Sequence, residues 1–318
     1  MLKRIVVINV NPKIYDNEFF KRIKSYKNAE IIRVKDNKSE ILKHISTASA
    51  LVNCSSKFFD KEVFLKGKNL QWIHTGSAGI ENFLFKEFIE SNILFTNGKI
   101  LQGPEIADHA LGLILTFSRN LHLQIKRHNI KNRPIELKGK KSAVFGSGGI
   151  GYCIAERLNC CGMIVNTFSD ELHPLNSFIN EAFIYEELKK KISDYDVIVI
   201  ASPSTNKSKE FFNYNLFKKM KMNSILINVS RGDIIKTEDL LKKNIFKKFR
   251  GIGLDVTNPE PLDKNHIFNK QNNIILTNHT AGLSDNNRIR SRELVEVNIK
   301  RFLMNENLLN TVNKQKGY

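Results

Sequence analysis

Short apolar runs alternate with amphipathic stretches along almost the whole chain. In the first part the runs occupy residues 5–10, 31–34, 50–52, 72–75 and 93–96. Each has the length of a buried strand, and the stretches between them carry helical spacing. This alternation predicts a small parallel α/β domain. A second series begins at 142–145 and continues through 164–168, 183–185, 197–201, 224–229, 252–256 and 274–276. Six or seven strands with helices between them predict a doubly wound sheet. The expected fold class is therefore α/β, with two doubly wound parallel-sheet domains.

Between the two series, Pro104 opens a helical pattern with Ile106, Ala107, Ala110, Leu111, Leu113, Ile114, Leu115 and Phe117. These apolar positions spread widely around the helix, so it is expected to be buried on several sides. Such a helix suits a link between domains or a subunit interface. Residues 286–304 again have helical periodicity and are expected to pack back on the first domain. The first domain is then discontinuous, 1–97 plus 285–318, and 98–284 form the second.

With 318 residues, the chain is long enough for two domains that each bury a core. Its 41% apolar and 26% charged residues are ordinary for a soluble globular protein, and no apolar stretch approaches the ~20 residues that span a bilayer. The amino terminus reads as a first strand and not as a signal peptide. Cys54, Cys153, Cys160 and Cys161 have neither zinc-site nor disulfide-framework spacing, which points to reduced thiols in a cytoplasm and no metal. The net charge of +18 is large. Its lysines are scattered among many Asn and Ile, so compositional bias and a functional basic field both remain open readings. The runs at 189–191 and 218–221 sit at predicted helix ends, where cations complement the dipole. No zinc-finger, RNP or helix-turn-helix signature accompanies them, and neither nucleic acid nor membrane is expected as a partner.

The first candidate chemistry is Gly146-Ser147-Gly148-Gly149-Ile150-Gly151, which follows the strand at 142–145 and precedes the helical run at 154–158. Taken alone, G-x-G-x-x-G is weak; in strand–loop–helix order it reads as a dinucleotide loop. Gly146 permits the tight turn, Gly148 lets the backbone approach a pyrophosphate, and Gly151 lets the helix pack closely. The next strand should end in an acid that binds the ribose hydroxyls, yet it ends Phe168-Ser169-Asp170. Asp170 can do that work one position late, or Ser169 can make room for a ribose phosphate. No Arg or Lys lies between positions 169 and 174, and only His173 is nearby. The expected cofactor is NAD(P), with a slight preference for NADP.

Arg231, Glu260 and His279 each follow an apolar run (224–229, 252–256 and 274–277). In an open parallel sheet, residues just past the carboxyl ends of strands line the ligand crevice. A guanidinium, a carboxylate and an imidazole there suit anion binding and proton transfer. Each also has a plainer reading: a surface ion pair, a loop charge before a proline turn, and a strand-end cap.

The segments 228–235 (NVSRGDII), 253–256 (GLDV), 259–262 (PEPL) and 277–282 (TNHTAG), with the glycine loop, resemble the signature series of the D-isomer-specific 2-hydroxyacid dehydrogenases. The resemblance covers most of the chain. It implies a flavodoxin-like substrate domain, a Rossmann cofactor domain and NAD(P)-linked reduction of a small 2-keto acid such as glyoxylate, hydroxypyruvate or pyruvate. It also implies that Arg231 binds the substrate carboxylate, His279 is general acid and base, and Glu260 holds His279. A carboxylate beside an imidazole favours the charged ring. By the same resemblance, Ser77, Ala78 and Gly79 bind the substrate carboxylate, Asn97 marks the domain junction, Pro203 lies among the cofactor contacts, and Asp255 lies near the nicotinamide carboxamide. A homodimer is implied as well. Two positions depart from the pattern: Asn278 stands where proline is usual, and Asp108, before His109, where glutamate is usual. A 3-phosphoglycerate dehydrogenase without an appended regulatory domain is the alternative activity, and a cofactor-sensing corepressor-like protein the alternative class. Formate dehydrogenase is disfavoured because Glu260 stands where that enzyme has glutamine.

Overall fold

The computed structural model describes residues 2–128, 130, 132–172 and 176–317. The chain divides into two compact units, residues 1–101 with 284–318, and residues 102–283.

The first unit is built on five parallel strands: β1 (Lys3–Asn9), β2 (Ala29–Lys35), β3 (Ala50–Val52), β4 (Trp72–His74) and β5 (Leu94–Thr96). Their order is β2-β1-β3-β4-β5, the flavodoxin-like order, with its switch point between β1 and β3. Ile5 and Val7 face one side of β1, and Val6 and Ile8 the other, so both faces of the sheet are buried. The helix Asn287–Leu303 covers the first face with Val295, Ile299 and Phe302, packed among Ile5, Val7 and Trp72. The carboxyl-terminal periodicity thus closes the core begun by the first strand.

The second unit has seven parallel strands: β6 (Lys141–Phe145), β7 (Ile164–Ser169), β8 (Glu181–Ile184), β9 (Val197–Ile200), β10 (Ile225–Asn228), β11 (Gly251–Leu254) and β12 (Ile274–Leu276). Their order, β12-β11-β10-β9-β6-β7-β8, places the switch point between β6 and β9. Each central strand is buried on both faces, which is why these segments are continuous apolar runs instead of alternating ones. The expectation of two doubly wound parallel sheets is borne out.

The helix Gly103–Ser118 lies in the second unit, where Ile106, Ala107, Ala110, Leu113, Ile114 and Phe117 are buried against its sheet. Two glycines of β11 admit it. A side chain at Gly251 would overlap the Phe117 ring, and one at Gly253 would crowd Leu113. Much of the apolar spread read from the sequence is therefore consumed inside one unit. The lysines of 189–191 and Lys218 and Lys219 sit in last helical turns, beside the carbonyl ends they complement. Among the described residues, no helix is long and apolar enough to cross a membrane.

Candidate active site

The glycine loop lies at the switch point of the second sheet, where such sheets bind ligands. Gly146 adopts φ +109°, a conformation that only glycine reaches easily, and its would-be Cβ would stand 2.6 Å from the carbonyl of Ala201. Its amide donates to the carbonyl of Phe168 at 2.6 Å, which holds the end of β7 beside the loop. Gly151 admits no side chain, because its Cβ would overlap the Gly146 carbonyl and press on Val144. Gly148 is different: nothing lies within 4 Å of where its Cβ would be. It is the N-cap of the helix Gly149–Cys160, whose first amides receive no side-chain cap. The Ser147 hydroxyl is buried without a hydrogen-bond partner among the described residues. An open backbone, uncapped helix amides and an orphaned hydroxyl together fit a bound pyrophosphate.

The next constellation stands past β10, β11 and β12. Asn228, fully buried at the end of β10, ties the turn that carries Arg231. Its amide donates to the Arg231 carbonyl at 2.9 Å, while its oxygen accepts from the Ser230 amide and hydroxyl, both at 3.1 Å. Gly232 follows, and any side chain there would overlap the Thr257 carbonyl, so this glycine lets the loop that bears Glu260 close on the Arg231 turn.

Asp255, 3% exposed after β11, accepts from the Thr277 hydroxyl at 2.6 Å and from the amides of Thr280 and Ala281 at 3.0 Å each. The His279 amide in turn donates to the Asp255 carbonyl at 2.9 Å. This bracing holds His279 at φ +54°, in the left-handed region that a non-glycine residue enters only when its surroundings compel it. The outcome is a pair: His279 Nδ1 lies 2.7 Å from Glu260 Oε1. A carboxylate can only accept, so Nδ1 carries the hydrogen and Nε2 is left for proton exchange.

In the first unit, the loop after β4 is held by residues after β5. Asn97 donates its side-chain amide to the Ala78 carbonyl at 2.7 Å, and the Gly98 amide donates to the Ser77 carbonyl at 2.9 Å. With both carbonyls engaged, the amides of Ala78 and Gly79 make no hydrogen bond among the described residues. Beside this loop, at the switch point of the first sheet, is a cavity of about 310 Å³ lined by Tyr15, Asn53, Ser77 and Ser291, among others.

Sequence comparison agrees with this geometry. Residues 111–281 match the profile of the NAD binding domain of the D-isomer specific 2-hydroxyacid dehydrogenases. The chain belongs to this family. Among its relatives is a glyoxylate reductase of Pyrococcus furiosus, 28% identical over 291 residues that make up 87% of this chain and 86% of that protein. One from Thermofilum pendens is also 28% identical, with 88% and 85% covered. The fold is shared with a D-isomer specific 2-hydroxyacid dehydrogenase family protein of Aeromonas salmonicida (TM-score 0.80, 24% identity, 99% of this chain and 100% of that one). It is shared too with the NADPH-dependent glyoxylate/hydroxypyruvate reductase of Sinorhizobium meliloti, solved with NADP and sulfate (TM-score 0.80, 20% identity, 99% and 100% covered). As a member of this family, the chain is an NAD(P)-linked 2-hydroxyacid dehydrogenase.

The residues singled out in the sequence fall into groups. Glu260 and His279 are in direct contact, and Arg231 stands on the turn braced by Asn228. Pro203 begins a loop after β9, and its carbonyl accepts from the hydroxyls of Ser202 and Ser208. His173 lies outside the described residues. The ammonium of the distant Lys207 lies 2.5 Å from Asp170. Asp108 contributes its carboxylate to an exposed pair with Arg157, so its shortening by one methylene falls outside this cluster. Its neighbour His109 is the one that joins, with Nε2 at 3.1 Å from the Thr277 hydroxyl and 3.7 Å from Asp255. Asn228 and His109 were missed as site residues. Asn228 had a usable signal in its place at the end of a buried strand, where a polar side chain needs partners.

Proposed function

We propose that this chain reduces a small 2-keto acid of the glyoxylate or hydroxypyruvate class to the D-2-hydroxy acid, and carries out the reverse oxidation. The observation that carries this reading is the 2.7 Å Glu260–His279 pair, mounted on the same sheet edge as the glycine loop. NAD(P)H, when bound by Gly146, Ser147, Gly148, Gly149, Ile150 and Gly151, supplies the hydride. Arg231 offers a planar two-pronged donor for the substrate carboxylate. In the first unit the Ser77, Ala78 and Gly79 loop is the proposed carboxylate-binding loop, with the amides of Ala78 and Gly79 unclaimed.

As the carbonyl carbon gains a hydride, its oxygen gains charge, and His279 delivers a proton to it from Nε2. Glu260 keeps the ring oriented and balances its charge while it is protonated. In the oxidative direction, neutral Nε2 takes the hydroxyl proton. Asp255 acts on this chemistry by fixing the backbone on either side of His279, and its carboxylate edge also belongs to the proposed cofactor contacts along with Pro203, Ser169 and Asp170. NADP is the preferred cofactor in this reading, supported by the small Ser169 at the end of β7. The four unpaired cysteines accord with a reducing cytoplasm, and a homodimer follows the family resemblance.

Steady-state assays with a panel of 2-keto acids and both reduced cofactors test the proposal. Turnover on glyoxylate or hydroxypyruvate is expected. Tight cofactor binding with no turnover on any keto acid would overturn it.

A further inference from the structure

Resting on that reading, we propose that Lys207 is the group by which this chain recognises the 2′-phosphate of NADP, with Asp170 as its partner when no phosphate is bound. The Gly146 amide is hydrogen-bonded to Phe168, so the residues that follow, Ser169 and Asp170, leave β7 beside the glycine loop. In this class of fold, the residue at that place meets the adenosine ribose. A carboxylate that reads the ribose diol needs its oxygens available for the 2′-hydroxyl. Here Asp170 Oδ1 is engaged by the Lys207 ammonium at 2.5 Å.

Lys207 is suited to change partners. Its backbone is fixed by the loop that follows β9. The Ser208 hydroxyl, wholly buried, donates to the Pro203 carbonyl at 2.6 Å and accepts from the Thr205 amide at 2.8 Å. The Lys209 amide closes the turn on the Thr205 carbonyl at 2.9 Å, and the Ser204 hydroxyl anchors the loop to Asp233 at 2.7 Å. The lysine side chain, by contrast, is 70% exposed. A flexible stem on a rigid base delivers a cation to a fixed neighbourhood while letting its tip exchange one anion for another. With its lysine in solvent the ion pair is weak, so exchanging a carboxylate for a phosphate of higher charge is favoured.

The neighbouring side chains leave this task to Lys207. The Ser169 hydroxyl is committed to the Glu171 carbonyl at 2.5 Å. Asp170 and Glu171 are both acids and oppose a phosphate, which makes the nearby lysine decisive for the sign of the preference. The preference is thus set by a pair 37 positions apart in the chain.

The test is calorimetric titration of the full chain with NADP⁺ and NAD⁺, for the wild type, Lys207→Met and Asp170→Asn. Lys207→Met should weaken NADP⁺ binding by tenfold or more and leave NAD⁺ binding unchanged or tighter, because Asp170 is released toward the diol. Asp170→Asn should do the opposite, weakening NAD⁺ and tightening NADP⁺. If Lys207→Met changes both affinities equally, or neither, the proposal is overturned. If the wild type binds neither cofactor, the dinucleotide reading of the second unit fails instead, so the two failures are distinguishable. Melting curves of each variant confirm that these substitutions leave the fold intact.

Discussion

Glu260 and His279 meet at 2.7 Å although each is carried on a different strand end, Glu260 past β11 and His279 past β12. Both side chains stay about half exposed, 41% and 53%, so the pair is accessible to a substrate while its geometry is set from behind by Asp255. The functional proposal rests on this division between an exposed reacting pair and a buried brace. Removing the imidazole should lower turnover by roughly 100- to 10,000-fold, the usual size of general acid–base catalysis. Glu260→Gln keeps an acceptor but loses the charge, and should lower turnover less than His279→Ala does. Rapid-mixing measurement of the hydride step in both variants checks this, and equal, small effects would remove His279 from the chemistry.

Asn228 is expected to act through Arg231. Asn228→Ala removes the acceptor of the buried Ser230 amide and one donor to the Arg231 carbonyl, a cost of about 1–3 kcal/mol. The turn that aims the guanidinium loosens at the same time. KM for the keto acid should rise more than kcat falls, while the KM for the cofactor stays near that of the wild type. A purely structural role would lower the melting temperature and leave both constants alone.

The glycines of the loop separate folding from binding. Gly148→Ala has open space around the new methyl and should melt close to the wild type. It should nevertheless weaken cofactor binding, because that space is where a pyrophosphate is proposed to sit. Gly151→Ala forces its methyl into the Gly146 carbonyl and should destabilise the unit by about 1–3 kcal/mol. Thermal melts with and without cofactor distinguish the two; equal melting losses would contradict the assignment.

His74 should make the first unit sensitive to acid. It is fully buried, with Nδ1 at 2.9 Å from the Thr96 hydroxyl, which also accepts from Trp72, and with Nε2 unpartnered among the described residues. Burial disfavours the charged ring and pushes its pKa down to about 3. Because the folded-state pKa is depressed below the ordinary 6.5, stability is fully present above that value. As pH falls from there toward 3, the unfolded chain takes up a proton that the folded one refuses. The slope is up to about 1.4 kcal/mol per pH unit. Chemical denaturation between pH 7 and 4 should show a smaller pH dependence in His74→Asn than in the wild type. Parallel slopes would show that His74 does not titrate this way.

Much of the fold was legible because a strand buried on both faces must be apolar throughout. Residues 197–201 and 224–229 announce themselves, and so does the helix that answers them. The glycine loop was legible for a related reason: Gly146 and Gly151 have no sterically acceptable substitute, so the requirement is written in the residue type itself. Arg231, Glu260 and His279 could be placed at strand ends from spacing alone, since strand length fixes where each loop begins.

Which side chains meet across those loops is a different matter. That β9 lies beside β6, and so brings Lys207 to Asp170, depends on strand order, and no periodicity in the sequence encodes it. His109 reaches Thr277 across 168 positions for the same reason, because its helix packs over the strands that carry the loop. The sequence by itself determined the two α/β sheets, the dinucleotide loop and the candidate reacting groups, all consequences of local burial and backbone freedom. Only the tertiary structure decided that Asp255 braces His279, that Asn228 aims Arg231 and that a lysine stands at the proposed ribose edge. Those pairings are made through space by groups whose separation along the chain carries no trace of their contact.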